Sequence, residues 1–521
     1  MSNSTASPAL PHARRPPFAQ RLLGKRRVRL ALSIAVPALA GVLVAVTMPR
    51  GPATSAQALA VMALGLAVGL VSGFLLGSRW ALLLAPATHV AAIELVRLPI
   101  VGPSVDAIRL DSAFGVLALL LGRGFHGLVG LLPMLLGASL GAALARRLSG
   151  QTRESHRPGT VVRRGAAALT AIGLLALAAL IAMPARTPPI LGPDGQPVPG
   201  SIAELTSVRL GGKDQAILIR AHSPDLPVLL YLSGGPGQSD LGWSRVYFSE
   251  LTRDFVVVGW DQRGAGKSYA ALDPTRTWTL EQAVADTVEL TNYLRARFGE
   301  EKIYLMGESW GSVLGVLAVQ RHPELYHAWI GSGQMVSPHE TDRRIYHDLL
   351  AYAERSGDAD LRAQLKAYGE PPYADIYGYT LAISHYDTLY RPYTPPRAYL
   401  ERGAAAGMGP LRNMASEYTL VEKLNVVRGL LDMGSVLYPQ LAGVDFRRDV
   451  PRLAVPVYVL DGEAEMAARR DLMLEWYGQL DAPHKRRYGF ADAAHAVAFE
   501  EFEALGRILS EEVLPETYPG R

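Results

Sequence analysis

The spacing of apolar residues divides the chain into two regions of different character. Before residue 184 they form long blocks, at 30–48, 56–76, 80–96, 113–145 and 166–183, rich in glycine and almost free of charge. A helix needs about 20 mostly apolar residues to cross a bilayer, whereas apolar helices of a soluble core usually stop at about 10 to 15. The blocks therefore predict an all-α transmembrane region over 30–183 with about five spans. The third carries His89 and Glu94, and the fourth carries Arg123 and His126. The fourth is also longer than one span requires. It fits either a tilted helix with an interfacial end or a re-entrant pair around Gly122-Arg123-Gly124.

From residue 201 the period shortens. Residues 208–219 alternate about Gly211-Gly212 as two strands around a turn, and 227–232, 255–259, 303–307 and 455–460 read as buried strands. Thr279-Leu280-Glu281-Gln282 is a capping-box signal. It starts a helix to about Phe298 whose apolar stripe includes Val284, Val288 and Leu294. Strands alternating with helices imply an α/β fold, a mostly parallel sheet with helices on both faces. Residues 335–445 interrupt that rhythm with helical sequence holding 12 of the 22 tyrosines. The expected division is a basic tail (1–29), the transmembrane region (30–183), a linker (184–200), a core in two parts (201–334 and 446–521), and a helical insertion (335–445). The linker contains six prolines around Pro193-Asp194-Gly195 and reads as an extended, semi-rigid tether.

Charge adds an orientation. Residues 1–164 hold 18 Lys and Arg against 4 Asp and Glu, while the remainder holds 34 against 44. The basic residues flank apolar blocks rather than forming a folded face, so nucleic acid is not an expected partner and the lipid bilayer is. Arg14, Arg15, Arg21, Lys25, Arg26, Arg27 and Arg29 precede the first block, and Arg146, Arg147, Arg153, Arg157, Arg163 and Arg164 separate the fourth from the fifth. Cytoplasmic segments carry the Lys/Arg excess. Both segments are therefore expected inside, and five spans deliver the C-terminal domain outside, in a multi-pass protein of the cell membrane. A cleaved signal peptide over 1–48 fits less well, because further apolar blocks follow it. With no cysteine, thiol nucleophiles, disulfides and zinc–thiolate sites are excluded.

The chemistry centres on the run from Ile303 to Ser312, where an apolar strand enters Gly307-Glu308-Ser309-Trp310-Gly311 and a buried helix follows. A sharp strand–turn–helix lifts the serine hydroxyl to the top of a sheet, within reach of a histidine and a carbonyl. By itself the pentapeptide is also what any small-residue turn needs. Two upstream segments sharpen the reading. A strand ending in Ser233-Gly234-Gly235-Pro236-Gly237 supplies a loop whose backbone amides can approach a substrate oxygen. A second runs into Asp261-Gln262-Arg263-Gly264-Ala265-Gly266-Lys267-Ser268, where Asp261 and Arg263 read as an ion pair bracing the turn.

Together these segments resemble the proline iminopeptidase branch of the α/β-hydrolase family, over about residues 202–510. That branch carries His-Gly-Gly-Pro-Gly, Asp-Gln-Arg-Gly-x-Gly-x-Ser and Gly-x-Ser-Trp-Gly in this order. Ser233 departs from it, standing where the family usually has histidine. The resemblance implies an α/β-hydrolase fold with 335–445 as a cap over the active site. It also implies a triad in the order Ser, acid, His. Val455 to Glu465 resembles the family's strand ending in Gly-x-x-Asp, which places Glu465 on the acid position, with Asp461 and Glu463 as competitors. The segment Gly489 to His495 resembles the family's Ser-x-His segment and makes His495 the base, while His484, beside Lys485, reads as a surface residue.

The implied mechanism is acyl transfer. His495 takes the Ser309 proton, Glu465 orients the imidazole, and the backbone N–H groups of Gly235 and Trp310 hold the oxyanion. No cofactor and no metal is expected. The expected substrate is a small molecule or short peptide, cleaved by an aminopeptidase activity. A carboxylesterase- or lipase-like ester hydrolase is the alternative, and an inactive membrane sensor or scaffold is the alternative of another class. Ser309 itself argues against epoxide hydrolases and haloalkane dehalogenases, which place Asp there. Proline iminopeptidases hold the substrate amine with cap carboxylates; Glu340, Glu417 and Glu422 are candidate counterparts, without assignment.

Overall fold

The computed structural model describes residues 26–149, 158–373, 375–390, 392–406 and 415–518. Arg14, Arg15, Arg21, Lys25, Arg153 and Arg157 lie outside the described residues. The chain forms two compact units.

The first unit comprises the opening helix up to Pro49 together with Ala60–Leu98 and Gly127–Ala176. Among the described residues, four helices are long and apolar enough to cross a membrane: Arg26–Thr47, Ser55–Leu76, Ala113–Leu148 and Val161–Ala182. The third apolar block forms a helix of 17 residues, Ala81–Arg97. Glycine content has a direct packing reason here. A Cβ on Gly65, Gly69 or Gly73 would stand 2.0–2.3 Å from the carbonyl oxygens of Gly130, Met134 or Ala138. Conversely, one on Gly137 or Gly141 would stand 2.1 Å from the Leu66 or Leu70 oxygen. The two helices thus touch backbone to backbone, the small-residue packing expected where lipid gives no hydrophobic drive. The polar residues of the third block are also accommodated. His89 bonds the Pro37 carbonyl at 3.1 Å, and Glu94 pairs with Arg97 at 2.7 Å. The fourth block is one continuous helix rather than a re-entrant pair, and Leu120–Gly124 forms a π-turn within it.

The second unit comprises Leu177–Arg521 with two short segments from the apolar half, Arg50–Leu59 and Pro99–His126. Among its described residues are eight strands, β1 (Ile202–Leu210), β2 (Lys213–Ala221), β3 (Val228–Leu232), β4 (Val256–Asp261), β5 (Ile303–Glu308), β6 (Tyr326–Ser332), β7 (Val457–Gly462) and β8 (Lys485–Phe490). They form one sheet in the order β1-β2-β4-β3-β5-β6-β7-β8. β1 and β2 make the expected hairpin, and β2 is antiparallel to β4. From β4 onward every neighbouring pair is parallel. The central strands β3, β4, β5 and β7 are buried throughout, as a sheet covered on both faces requires. Thr279 caps the helix Leu280–Phe298 by accepting from the Gln282 amide. The cap residues form helices at Pro338–Ser356, Ala359–Tyr368, Ile376–His385, Arg397–Ala405 and Leu420–Leu437.

One expectation, the Asp261–Arg263 ion pair, is corrected. Within residues 30–183, the connections around Arg50 and Ser104 cluster with the second unit. Asp432 on the helix Leu420–Leu437 is fully buried and accepts from Arg50 Nη1 (3.3 Å), the Ser104 amide (2.9 Å) and Tyr269 Oη (2.5 Å). The linker 184–200 has no helix and is held at its start: Arg220 bonds Thr187 Oγ1 and the Pro188 carbonyl, and the Arg186 amide donates to the Ser416 carbonyl. Asp261 and Arg263 do not pair. Arg263 reaches Asp286 at 3.2 Å and lies over the Trp278 ring, while Asp261 accepts from the Lys267 amide and Tyr418 Oη.

Candidate active site

Ser309 stands between β5 and the helix Trp310–Arg321 with φ 54° and ψ −118°, and among the described residues it alone has positive φ without being glycine. Such a conformation costs on the order of 1–3 kcal/mol and persists only where its surroundings impose it. They do so here. A Cβ on Gly307 would lie 2.4 Å from the Gly311 oxygen, and one on Gly311 2.1 Å from the Leu232 oxygen. The turn therefore closes only with glycine at both positions, the physical content of the pentapeptide. Ser312 Oγ donates to the Ser309 carbonyl and accepts from the Met335 amide. Ser309 Oγ itself faces Met335 Sδ at 3.6 Å.

The Ser233–Gly237 loop lies beside this turn, and a Cβ on Gly234 would meet the Ser309 Cβ at 3.4 Å. Gln262 braces it in a way the serine-for-histidine departure at Ser233 does not foreshadow. Its Nε2 donates to the Ser233 carbonyl and its Oε1 accepts from Trp310 Nε1. One amide side chain thus ties the loop to the serine turn. Trp310 is the first residue of the helix, where backbone N–H groups have no partner within the helix.

Of the three candidate acids, Glu465 is the one in contact with His495. Glu465 Oε2 pairs with His495 Nδ1, while Oε1 accepts from the Met466 amide and Arg469 Nη1, both at 2.8 Å. Asp461, the competitor, is engaged elsewhere, by Arg470 (2.9 Å) and Arg487 (2.5 Å). Glu463 is half-exposed. Burial works against the Glu465 charge, but Arg469, His495 and these hydrogen bonds outweigh it and hold the carboxyl down at about 2. Arg469 Nη1 also approaches His495 Nδ1 to 2.8 Å. Nδ1 has one site, and beside a carboxylate it is a donor; Nε2 is then left as the basic nitrogen. Gly333 (φ 51°) makes room for the ring, because a Cβ there would stand 2.9 Å from Nδ1.

Ser309, His495, Glu465 and Gly235 line one cavity of about 650 Å³. Trp310 is fully buried behind it. Tyr379, Tyr393 and Tyr438 represent the cap tyrosines in its wall, while Tyr346, Tyr386, Tyr399 and Tyr418 are packing residues, buried in the protein. The cap glutamates do not reach it. Glu340 pairs with Arg343 and Arg344, Glu417 with Arg245, and Glu422 with Lys267. The cap carboxylate that does line it is Asp387. Sequence reasoning missed Arg469, Asp387 and Phe114 in this wall. Only Arg469 carried a local signal, four residues after Glu465, the helical spacing of an acid–base pair. No group of three or more His, Cys, Asp or Glu among the described residues has a metal-binding arrangement.

Residues 227–502 match the alpha/beta hydrolase fold family. Over 315 residues the chain is 29% identical to the probable aminopeptidase YbaC of Bacillus subtilis (strain 168), covering 60% of this chain and 96% of that protein. A shorter match to the proline iminopeptidase of Neisseria gonorrhoeae is 36% identical over 104 residues, 20% of this chain and 31% of that enzyme. Among solved structures, a proline iminopeptidase-related protein from Thermus thermophilus aligns with a TM-score of 0.43 at 21% identity, covering 61% of this chain and 99% of that one. With the family match spanning more than half its length and the mostly parallel eight-stranded sheet beneath the serine turn, the chain belongs to the α/β-hydrolase fold family.

Proposed function

We propose that this protein is a membrane-anchored serine hydrolase with aminopeptidase activity on small peptides, working through an acyl-enzyme. The observation that carries the reading is the convergence of a strained Ser309, the Glu465–His495 pair and the Gly235 loop on one cavity. A serine hydroxyl is a poor nucleophile until a base takes its proton. His495 Nε2 is left free for that by the Nδ1 contact with Glu465. His495 later protonates the leaving amine, and the amides of Gly235 and Trp310 hold the oxyanion. Asp387, the cap residue among the carboxylates that line the cavity, is the candidate to meet a substrate amine. The 96% coverage of a probable aminopeptidase is in keeping with this choice. An ester hydrolase is the second reading, favoured by the apolar part of the wall, Ile376, Ile383, Leu430 and Leu431. A fluorophosphonate probe is expected to label the wild type and not Ser309→Ala. Aminoacyl-arylamides, beginning with proline, are expected to outrun acyl esters. Labelling of the variant, or none of the wild type, sinks the serine assignment; the reverse substrate order favours the esterase.

Anchoring follows from the helices. Arg50 and Ser104 bond the same carboxylate, Asp432, so both lie on the hydrolase side of any membrane. On this reading an even number of crossings separates them, with the 17-residue helix Ala81–Arg97 as a return span after Ser55–Leu76. Two more helices, Ala113–Leu148 and Pro158–Ala182, lead back to the hydrolase. The reading has five crossings, and the Lys/Arg excess supports an N-terminus inside and the enzyme outside. Alkaline phosphatase fused after Gly200 is expected to be active. A fluorescent, phosphatase-negative fusion there reverses the orientation.

A further inference from the structure

The helix Ala113–Leu148 has 36 residues. At 1.5 Å per residue that is about 54 Å, against about 30 Å of hydrocarbon in a bilayer. Its far end carries Arg146 and Arg147, so counting back about 20 residues ends the span near Phe125. The first dozen residues, 113–124, lie beyond the span and belong to the hydrolase unit. They are held there firmly. Arg123 donates to the Val105 and Asp106 carbonyls, Arg109 pairs with Asp375 of the cap, and Gly122 leaves room for the Ser104 carbonyl, 2.0 Å from where a Cβ would stand.

One face of this segment, Gly115, Ala118 and Gly122, is buried. The other is apolar and open: Phe114 is 37% exposed, Leu117 37% and Leu120 59%, three positions at i, i+3 and i+6. Outside a bilayer, exposed apolar residues in line call for an occupant. The two ends of the stripe name it. Leu120 precedes by about five residues the start of the counted span, and Phe114 lines the candidate catalytic cavity, as Ile376 and Leu430 do.

We propose that the Phe114–Leu117–Leu120 face is a track for the hydrocarbon chain of a bilayer-resident substrate, an amphiphile whose scissile amide or ester reaches Ser309 while its chain lies along the stripe. This rests on the serine-hydrolase reading and deepens it, since the site then takes its substrate from the membrane. The stripe is about 10 Å long at the helical rise, so a chain of several methylenes is covered. Each buried CH₂ is worth roughly fourfold in affinity.

The test uses the full chain in lipid nanodiscs and two probes, ethyl and decyl fluorophosphonate. The decyl probe is expected to label Ser309 at least about tenfold faster than the ethyl probe. In the double variant Leu117→Gln/Leu120→Gln that ratio is expected to fall at least about threefold. Partition of the long probe into lipid is common to both proteins and cancels. As a second variant, Phe114→Ala is expected to lower the same ratio. Equal rates for the two probes, or a ratio unchanged in both variants, overturns the track while leaving the nucleophile standing. Labelling by neither probe overturns the serine-hydrolase reading and the track with it.

Discussion

Arg469 is an unusual neighbour for the Glu465–His495 pair, and on the proposed mechanism its replacement by methionine has a definite consequence. The guanidinium is buried and reaches both Glu465 Oε1 and the His495 ring at 2.8 Å. When His495 gains a proton during acylation, it does so beside a fixed cation. Two unit charges about 4 Å apart interact by about 4 kcal/mol at an effective dielectric of 20. Glu465 offsets part of this, because it contacts both. If a third of the repulsion survives, about 1.4 kcal/mol, its removal speeds the step that charges His495 by about tenfold. The sign follows from charge: without Arg469 the imidazolium formed during acylation is better stabilised. Arg469→Met is therefore expected to raise kcat/KM by up to about tenfold, and Arg469→Lys, which keeps the charge, to change it far less. The assay is kcat/KM for both variants with one arylamide or ester substrate. A kcat/KM in Arg469→Met at or below that of the wild type refutes the electrostatic argument and leaves Arg469 a packing residue.

Two further outcomes follow from buried carboxylates. Glu465→Gln is expected to lower kcat by about a hundredfold or more by losing the imidazole's orienting anion, whereas Asp461→Asn is expected to keep most of kcat and to lower thermal stability by loosening Arg470 and Arg487; a crippled Asp461→Asn beside a near-normal Glu465→Gln reverses the assignment. Burial raises the Asp261 carboxyl to about 7 from 3.8, so its native state holds a proton longer than the unfolded chain. Stability therefore falls as pH rises from about 4 to 7, and Asp261→Asn, whose side-chain oxygen can still accept from the Lys267 amide, is expected to flatten that slope by a few kcal/mol. Denaturant unfolding at pH 5 and pH 8 checks it, and an unchanged slope counts against the buried charge.

What the sequence determined by itself were the features that local physics dictates. Four of the five apolar blocks form helices long and apolar enough to cross a membrane, as their length and composition imply. The Gly307–Gly311 turn had to strain Ser309, because only glycine on both sides lets the strand and helix approach. The order of the strands implied a parallel sheet, and the sites of Glu465 and His495 followed from motif resemblance. Tertiary structure alone decided the rest. Glu465 rather than Asp461 meets His495 because the chain turns after Gly462, where the Ala494 carbonyl leaves no room for a side chain. Asp261 and Arg263 separate because the backbone sends one toward Tyr418 and the other toward Asp286. Arg50, Ser104 and Asp432 lie far apart in the chain, and Phe114 reaches a cavity built mostly by residues 235–500. No periodicity encodes such meetings, because local pattern specifies which face of an element is buried and not which distant element covers it.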